Sequence, residues 1–563
     1  MIFRFALSLA APAVITACAP FVRGAAAPSP TSAAINVADV RSRIFLVAHD
    51  SMRGRQAGYT GNYAMTSYLA REARRIGLEP AGEKGTYFQT VPVVRRATDS
   101  TSTISVHGRR LAIFTDFAPV RPTSSLRAGL GLSAKSLGSV YGGRAGDTTV
   151  SLAPAQVEGR MVVLDAPLGA DGMPTGVYST PAATAISRFP NAAAIAVAAL
   201  EIVTPAAAAG LTSRSAGLPR PAGGPARPTT ILLSTRAAES VLGSPLASLR
   251  PGATGRNVSL HIAFDDRPTE APARNVVALL RGSDPRLKGQ VVAVGAHSDH
   301  NGIAARAVDH DSLRAFNRVM RPEGAQTAAR QPTGVERERI RAVLDSLRLI
   351  NPPRRDSINN GADDDGSGSV AALEIAESLA ADGRPRRSIL FVWHTGEEAG
   401  LLGSAWFNDQ PTIPRDSIIA QLNMDMVGRG TAIDLARGGP RNLQVIGSRR
   451  LSTELGNVVD SVNALRAEPW LIDYSFDAPR HPLNRYCRSD HYMYARAGIP
   501  ITYFSRGYHI DYHQVTDEPQ YINYEGLARV AAFVRDVAIA VANRDTRVRV
   551  DKPKPDPLGP CRQ

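Results

Sequence analysis

Four apolar runs of strand length in this chain each lead into a cluster of histidine and acid, and a fifth cluster sits on a glycine-rich turn. That recurrence limits the fold more than any other feature. Val291–Ala296 runs into His297-Ser298-Asp299, Ser388–Trp393 into Gly396-Glu397-Glu398-Ala399-Gly400, and Ile418–Asn423 into Met424-Asp425-Met426-Val427-Gly428. Ile499–Phe504 leads on to Tyr512-His513 and Asp517, and the turn is Gly361 to Gly368 with Asp363, Asp364 and Asp365 inside it. Runs that are almost continuously apolar read as parallel strands buried on both faces. In an open α/β sheet, ligands gather at the carboxyl ends of such strands. Packing alone does not account for five such clusters, because carboxylates brought together in a dry site cost several kcal/mol unless a cation balances them. Histidine with carboxylate oxygens suits zinc, and two ions sharing one bridging carboxylate suit a set this large.

The rest of the chain supports a sheet covered by helices. Between the first two runs lies a helix over Val370–Ala381, opened by Ser367-Gly368-Ser369, and the sequence from Tyr524 to Asn543 reads as an Ala/Val-rich packing helix. Near the start, Met65, Tyr68, Leu69, Ala73 and Ile76 share one face of a helix that Gly77 stops. From about Ser100 to Asp266 the texture changes to short β runs punctuated by Pro and Gly, such as Val157–Asp165 and Thr229–Ser234, without metal-like spacing. The fold class expected is therefore α/β: a mixed, mostly parallel central sheet covered by helices, with an inserted β-rich module over 100–266. The flanking parts are 37–99 and 267–545, with a tail at 546–563.

One segment stands apart. Between Asp299 and Asp364 the chain makes a long excursion, residues 301–360, which contains the amphipathic run Val335–Leu347 with Arg337, Arg339 and Arg341 on its polar side. It leaves from one acidic cluster and returns to another. The expectation is a lid that lays its apolar face over the site and limits substrate length.

With 563 residues and 44% hydrophobic composition the chain has ample material for several packed cores. Lys and Arg exceed Asp and Glu by 65 − 51 = 14. The surplus is scattered arginine without a basic run or aromatic interleaving, so no nucleic-acid partner is expected. Residues 1–17, with Arg4 followed by a short apolar stretch ending Ile15-Thr16-Ala17 before Cys18, read as an export signal too short to anchor a helix across a bilayer. The ending resembles a lipoprotein cleavage box. That would place a lipid on Cys18, ahead of a linker over 18–36, and hold the protein at the outer side of a cell envelope. Ordinary secretory cleavage near Ala25–Pro28 is the plainer alternative. Only Cys487 and Cys561 then remain, and a bridge between them is open.

The five clusters come in the order His-x-Asp, Gly-x-x-Asp-Asp-x-Ser-Gly, Glu-Glu, Asn-x-Asp-x-x-Gly and Tyr-His. In that order they resemble the motif series of the M28 family of co-catalytic zinc aminopeptidases, and Gly54-Arg55 with Arg75–Pro80 resembles the family's opening segment. The module over 100–266 resembles the protease-associated insert of some members. The resemblance implies two zinc ions per chain: one held by His297 and Asp425, the other by Glu398 and His513, with Asp364 bridging. It implies Glu397 as general base and Tyr512 as a donor to the oxyanion, against the plainer reading of Tyr512 as a half-buried aromatic. Asp299, two residues past His297, would hold the imidazole N–H. Asp363 and Asp365 read as turn formers, and His300, His310, His394 and His491 as supporting or core histidines. The implied substrates are peptides cleaved at the N-terminus. A carboxypeptidase or dipeptidase of the same superfamily, or a receptor-like protein without activity, are the alternatives, and oligomeric state is not legible.

Overall fold

The computed structural model describes residues 31–123, 128–169, 171–219, 227–328, 330–350, 352–556, 559, 561 and 563. The export signal, Cys18 and most of the linker lie outside the described residues.

Nine strands form the central sheet. They are β1 (Glu79–Pro80), β2 (Phe88–Val91), β3 (Ala273–Leu280), β4 (Val291–His297), β5 (Ser388–His394), β6 (Ile418–Met424), β7 (Asn442–Ile446), β8 (Leu471–Asp473) and β9 (Ile501–Ser505). Their order in space is β1-β3-β5-β4-β6-β9-β7-β8, with β2 also on β3. The four apolar runs of the sequence are the adjacent strands β5, β4, β6 and β9, paired in parallel. Antiparallel pairing is confined to the flanks, where β3 meets β5 and β7 meets β9.

The helices that cover the sheet or build the excursion are α1 (Val37–Val47), α2 (Thr60–Ile76), α3 (His310–Met320), α4 (Gly334–Arg348), α5 (Gly366–Ala381), α6 (Leu402–Asp409), α7 (Thr453–Ala464), α8 (His491–Arg496) and α9 (Tyr524–Ala542). β4 explains why both faces need cover. Its Val292, Val294 and Ala296 join one core with residues of α1, α2, α5, α7 and α9, while Val291 and Ala293 join a second core with α6 and α8. Period-two alternation with apolar residues on both sides leaves no face for water. All seven residues of β4 are buried.

The module is entered and left through strands Val94–Thr98 and Phe264–Pro268, which pair antiparallel. Inside it are a four-stranded sheet and a five-stranded sheet. Helices Ser179–Arg188 and Thr235–Leu242 accompany them, so the module carries more helix than its β-rich texture suggests.

The excursion 301–360 is built differently from the expected lid. Ile303–Asp309 and Arg355–Ile358 form a two-stranded ribbon that carries α3 and α4. α4 matches the amphipathic run, started by a capping box in which Thr333 and Glu336 satisfy each other's backbone N–H. Only Leu347 of α4 is buried, and the helix packs on α3 rather than over the acidic clusters. Its apolar stripe is too thin to serve as a roof; Arg337, Arg339 and Arg341 face solvent as the sequence suggests.

Candidate metal centre

Three strand ends and two loops bring the clusters together. His297 ends β4, Asp425 follows β6, and Glu397 and Glu398 lie in the loop from β5 to α6. Asp364 sits in the turn before α5, and His513 in the loop between β9 and α9. Asp364 is the centre of the arrangement. Its Oδ1 is 3.2 Å from His297 Nε2, and its Oδ2 is 3.2 Å from His513 Nε2. Asp425 Oδ1 is 3.8 Å from His297 Nε2, and Glu398 Oε2 is 2.9 Å from His513 Nε2. His297 and Asp425 thus lie on one side of Asp364 and Glu398 and His513 on the other, while the groups whose donor atoms all lie within reach of one ion are, among the described residues, His297, Asp365, Asp425 and His300, Asp364, Glu398.

The electrostatics call for a cation. Burial works to lower the pKa of His297 and His513, yet the facing carboxylates win and lift both, His513 to about 10. The same surplus of negative charge is what a dication would balance. His297 Nε2 and Asp364 Oδ2 are buried without a conventional hydrogen-bond partner among the described residues. Imidazole and carboxylate donors at these separations fit zinc.

The turn that carries Asp364 is held from four sides. Asp365 caps α5 by accepting from Gly368 N at 2.8 Å and also accepts from His297 N at 3.0 Å, tying the helix start to the end of β4. Asp363 accepts from Gly428 N at 2.6 Å, and Asp517 accepts from Asp364 N at 3.1 Å. Arg55, buried, donates to the carbonyls of Asn360 at 2.6 Å and Gly361 at 2.8 Å. Gly54 before it has φ +64, and a Cβ there would stand 2.4 Å from Gly302 O. The opening Gly54-Arg55 is therefore a buttress of the distant turn.

Asp299 acts with a different atom from the one expected. His297 Nδ1 lies 3.1 Å from the Asp299 backbone carbonyl, the geometry of an N–H donor, while the Asp299 carboxylate is 3.7 Å away. That carboxylate instead accepts from Glu397 N at 3.1 Å, so Asp299 orients the ring through its main chain and the Glu-Glu loop through its side chain. Glu397 Oε2 approaches His297 Nε2 only to 4.0 Å, outside both donor sets. Burial and neighbouring acids push its carboxyl well above the usual carboxylate range. The Tyr512 ring stacks at 3.8 Å on His513 and at 4.7 Å on Tyr508. Burial and nearby negative groups raise its phenol well above the ordinary value, so it keeps its proton.

One expected supporting residue stands closer to the donors than its sequence role implies, and one link has no motif behind it. His300 Nδ1 is 2.6 Å from Glu398 Oε1, and His300 with Asp364 and Glu398 forms a cluster able to hold a metal. Its signal is the spacing His297-Ser298-Asp299-His300, which puts a second imidazole just past the end of β4. The other is the link to the excursion. Asp511, buried in the loop of His513, pairs with Arg314 of α3 and with Arg429, the latter at 3.1 Å, and accepts from Asn317 at 3.2 Å and Thr516 at 2.7 Å. Arg321 donates to Ile510 O at 2.9 Å, and Ala325 N to Tyr508 O at 3.1 Å. α3 grips the loop of His513, and this is where the excursion meets the site.

Residues 275–538 match the model of Peptidase family M28. Among curated proteins, the chain is 39% identical over 112 residues to a probable leucine aminopeptidase of Arthroderma otae, covering 17% of this chain and 31% of the relative. It is 33% identical over 173 residues to leucine aminopeptidase 1 of Fusarium vanettenii, covering 29% and 40%. The chain thus spans about a third of the length of the curated relatives it matches. Among solved structures, an aminopeptidase from Aneurinibacillus sp. strain AM-1 aligns with TM-score 0.43 and 13% identity over 92% of this chain and 98% of that one.

Proposed function

We propose that the chain is an exported two-zinc aminopeptidase. The observation that carries this reading is the position of Asp364, whose two oxygens face two imidazoles while Asp425 and Glu398 complete one donor set each. His297, Asp364 and Asp425 would hold one zinc, and Asp364, Glu398 and His513 the other, with His300 beside Glu398. When bound, the pair supplies Lewis acidity at the scissile carbonyl and lowers the pKa of water. Glu397 lies next to a ligand but outside both sets, which places it to take a proton from water and return it to the leaving amine. Asp299 positions that loop through the Glu397 amide. Tyr512 offers its O–H to the developing oxyanion. The names of the curated relatives point to N-terminal residues as the leaving part. Export through residues 1–17, lipidation at Cys18 and a protease-associated character for the module belong to the same proposal and rest on the sequence alone.

Two measurements test it. Product analysis should show release from peptides with a free N-terminus and none from their N-acetyl forms; release from the C-terminus would overturn the aminopeptidase reading. Glu397→Gln should keep its zinc and lose about 10²- to 10⁴-fold in kcat. Near-normal turnover would remove Glu397 from the role of base.

A further inference from the structure

A cavity of about 250 Å³ adjoins the metal centre on the side of His513. His513, Tyr512 and Tyr508 form one wall, and Arg488, Arg321 and Leu483 are among the others; no Asp or Glu is among the described residues that line it. The arginines set it apart. Close by, Arg314, Arg354 and Arg429 each pair with a carboxylate, Asp511, Glu518 and Asp434 respectively. Arg488 and Arg321 pair with none among the described residues. Arg321 spends one N–H on Ile510 O. The Arg488 guanidinium lies 4.9 Å from the centre of the Tyr508 ring, with Tyr512 Oη 3.4 Å from Nη2. Aromatic stacking fixes its plane while leaving most of its N–H fork free.

Arg488 also stands on a fixed base. Cys487 before it is bridged to Cys561, and Tyr486 N donates to Gln563 Oε1 at 3.1 Å, so the chain's end clamps this segment. Ser489 after it accepts from Asn423 of β6 at 3.0 Å. A planar cation backed by aromatic rings, with Glu397 acting on it only from a distance and no carboxylate paired to it among the described residues, in a cavity that opens on the reacting centre, is built to receive a carboxylate.

We propose that this cavity is a carboxylate-binding subsite in which Arg488, aided by Arg321, selects substrates that present an anionic group next to the scissile bond. The inference rests on the exopeptidase reading and narrows its substrate class. Two sources share the chemistry: an acidic side chain on the residue released, or the C-terminal carboxylate of a dipeptide.

Matched pairs of substrates separate them. One pair has N-terminal Glu against Gln with everything else equal; the other is a dipeptide against its C-terminal amide. In wild type, kcat/KM should favour the charged member of one pair by at least tenfold, and Arg488→Gln should bring that ratio to about one. Arg488→Lys keeps the charge without the fork and should restore part of it. A binding arm is independent of turnover. In zinc-loaded Glu397→Gln protein, calorimetric titration with the same pairs should give the same preference, lost in the double variant with Arg488→Gln. If turnover fails for every substrate while this binding preference stands, the exopeptidase reading falls and the subsite survives. Equal treatment of charged and neutral members by wild type in both arms, or a preference that survives Arg488→Gln, overturns the subsite.

Discussion

The two halves of the candidate metal centre are made of the same residue types but are supported in opposite ways. His297 and Asp425 sit at the ends of neighbouring strands deep in the sheet, and the His297 side chain is 1% exposed. His513 hangs on a loop with its side chain 37% exposed and its backbone at φ 58, a left-handed conformation that costs a non-glycine residue about 1–2 kcal/mol. Register within the sheet fixes the first half. The second is fixed from outside, by Asp511 two residues before His513 and by the arginine that α3 delivers to it. A ligand on a strand end inherits the stiffness of the core, whereas a ligand on a loop is only as well placed as its brace.

The largest effect should come where the halves meet. Asp364→Ala removes the shared donor, and the account expects both zincs and all measurable turnover to be lost, read by elemental analysis and a peptidase assay. One retained zinc would mean that Asp364 does not bridge. Next in size is the contrast between the imidazoles. His513→Ala should lose one zinc and keep the other, while His297→Ala should remove the zinc of the buried half. If both variants kept equal zinc with equal affinity, the asymmetry would be unfounded.

A smaller effect tests the brace itself. Arg314→Met takes the guanidinium from Asp511 without touching a ligand, and it should weaken the zinc at Glu398 and His513 by about 10- to 100-fold, as loss of an outer partner does, while leaving the other unchanged. Cobalt spectra of each half would separate this from general damage. By the same reasoning, cutting out the excursion should cost zinc at His513 before it alters any preference for peptide length. Retention of both zincs in such a deletion would show α3 to be dispensable.

The smallest effect concerns acid. His491 of α8 is buried against Tyr503 at 4.6 Å, and burial holds its pKa down to about 3. Below pH 6.5 the unfolded chain takes up a proton that the folded chain refuses. Its contribution is therefore whole above pH 6.5 and falls by about 1.4 kcal/mol per pH unit as pH drops from there toward 3. His491→Gln should flatten the decline of Tm with pH over that window; an unchanged slope would assign acid sensitivity to other groups.

Much of this was legible in the sequence because strand ends advertise themselves. The apolar runs before His297, Glu397 and Asp425 fix both the parallel core and the rim where the donors gather, but not the places of Asp365 and His300 beside them. What was not legible depended on contacts between segments far apart in the chain. Arg55 reaches the turn of Asp364 across 305 positions, and its type says nothing of that target. Arg314 lies in a stretch without a motif, and only the approach of α3 to the loop of Asp511 gives it a role. The amphipathic run of α4 misled for a related reason: periodicity shows that a helix has an apolar side but not what that side meets, and here it is α3.

The most direct test of the central claim is a zinc titration of metal-free protein against a competing chromophoric chelator, run on wild type and on His513→Ala. Two ions per chain with distinct affinities in wild type, of which only the tighter survives in the variant, is the result predicted. A single ion in wild type, or the loss of both from His513→Ala, would contradict a centre made of a buried half and a braced half joined at Asp364.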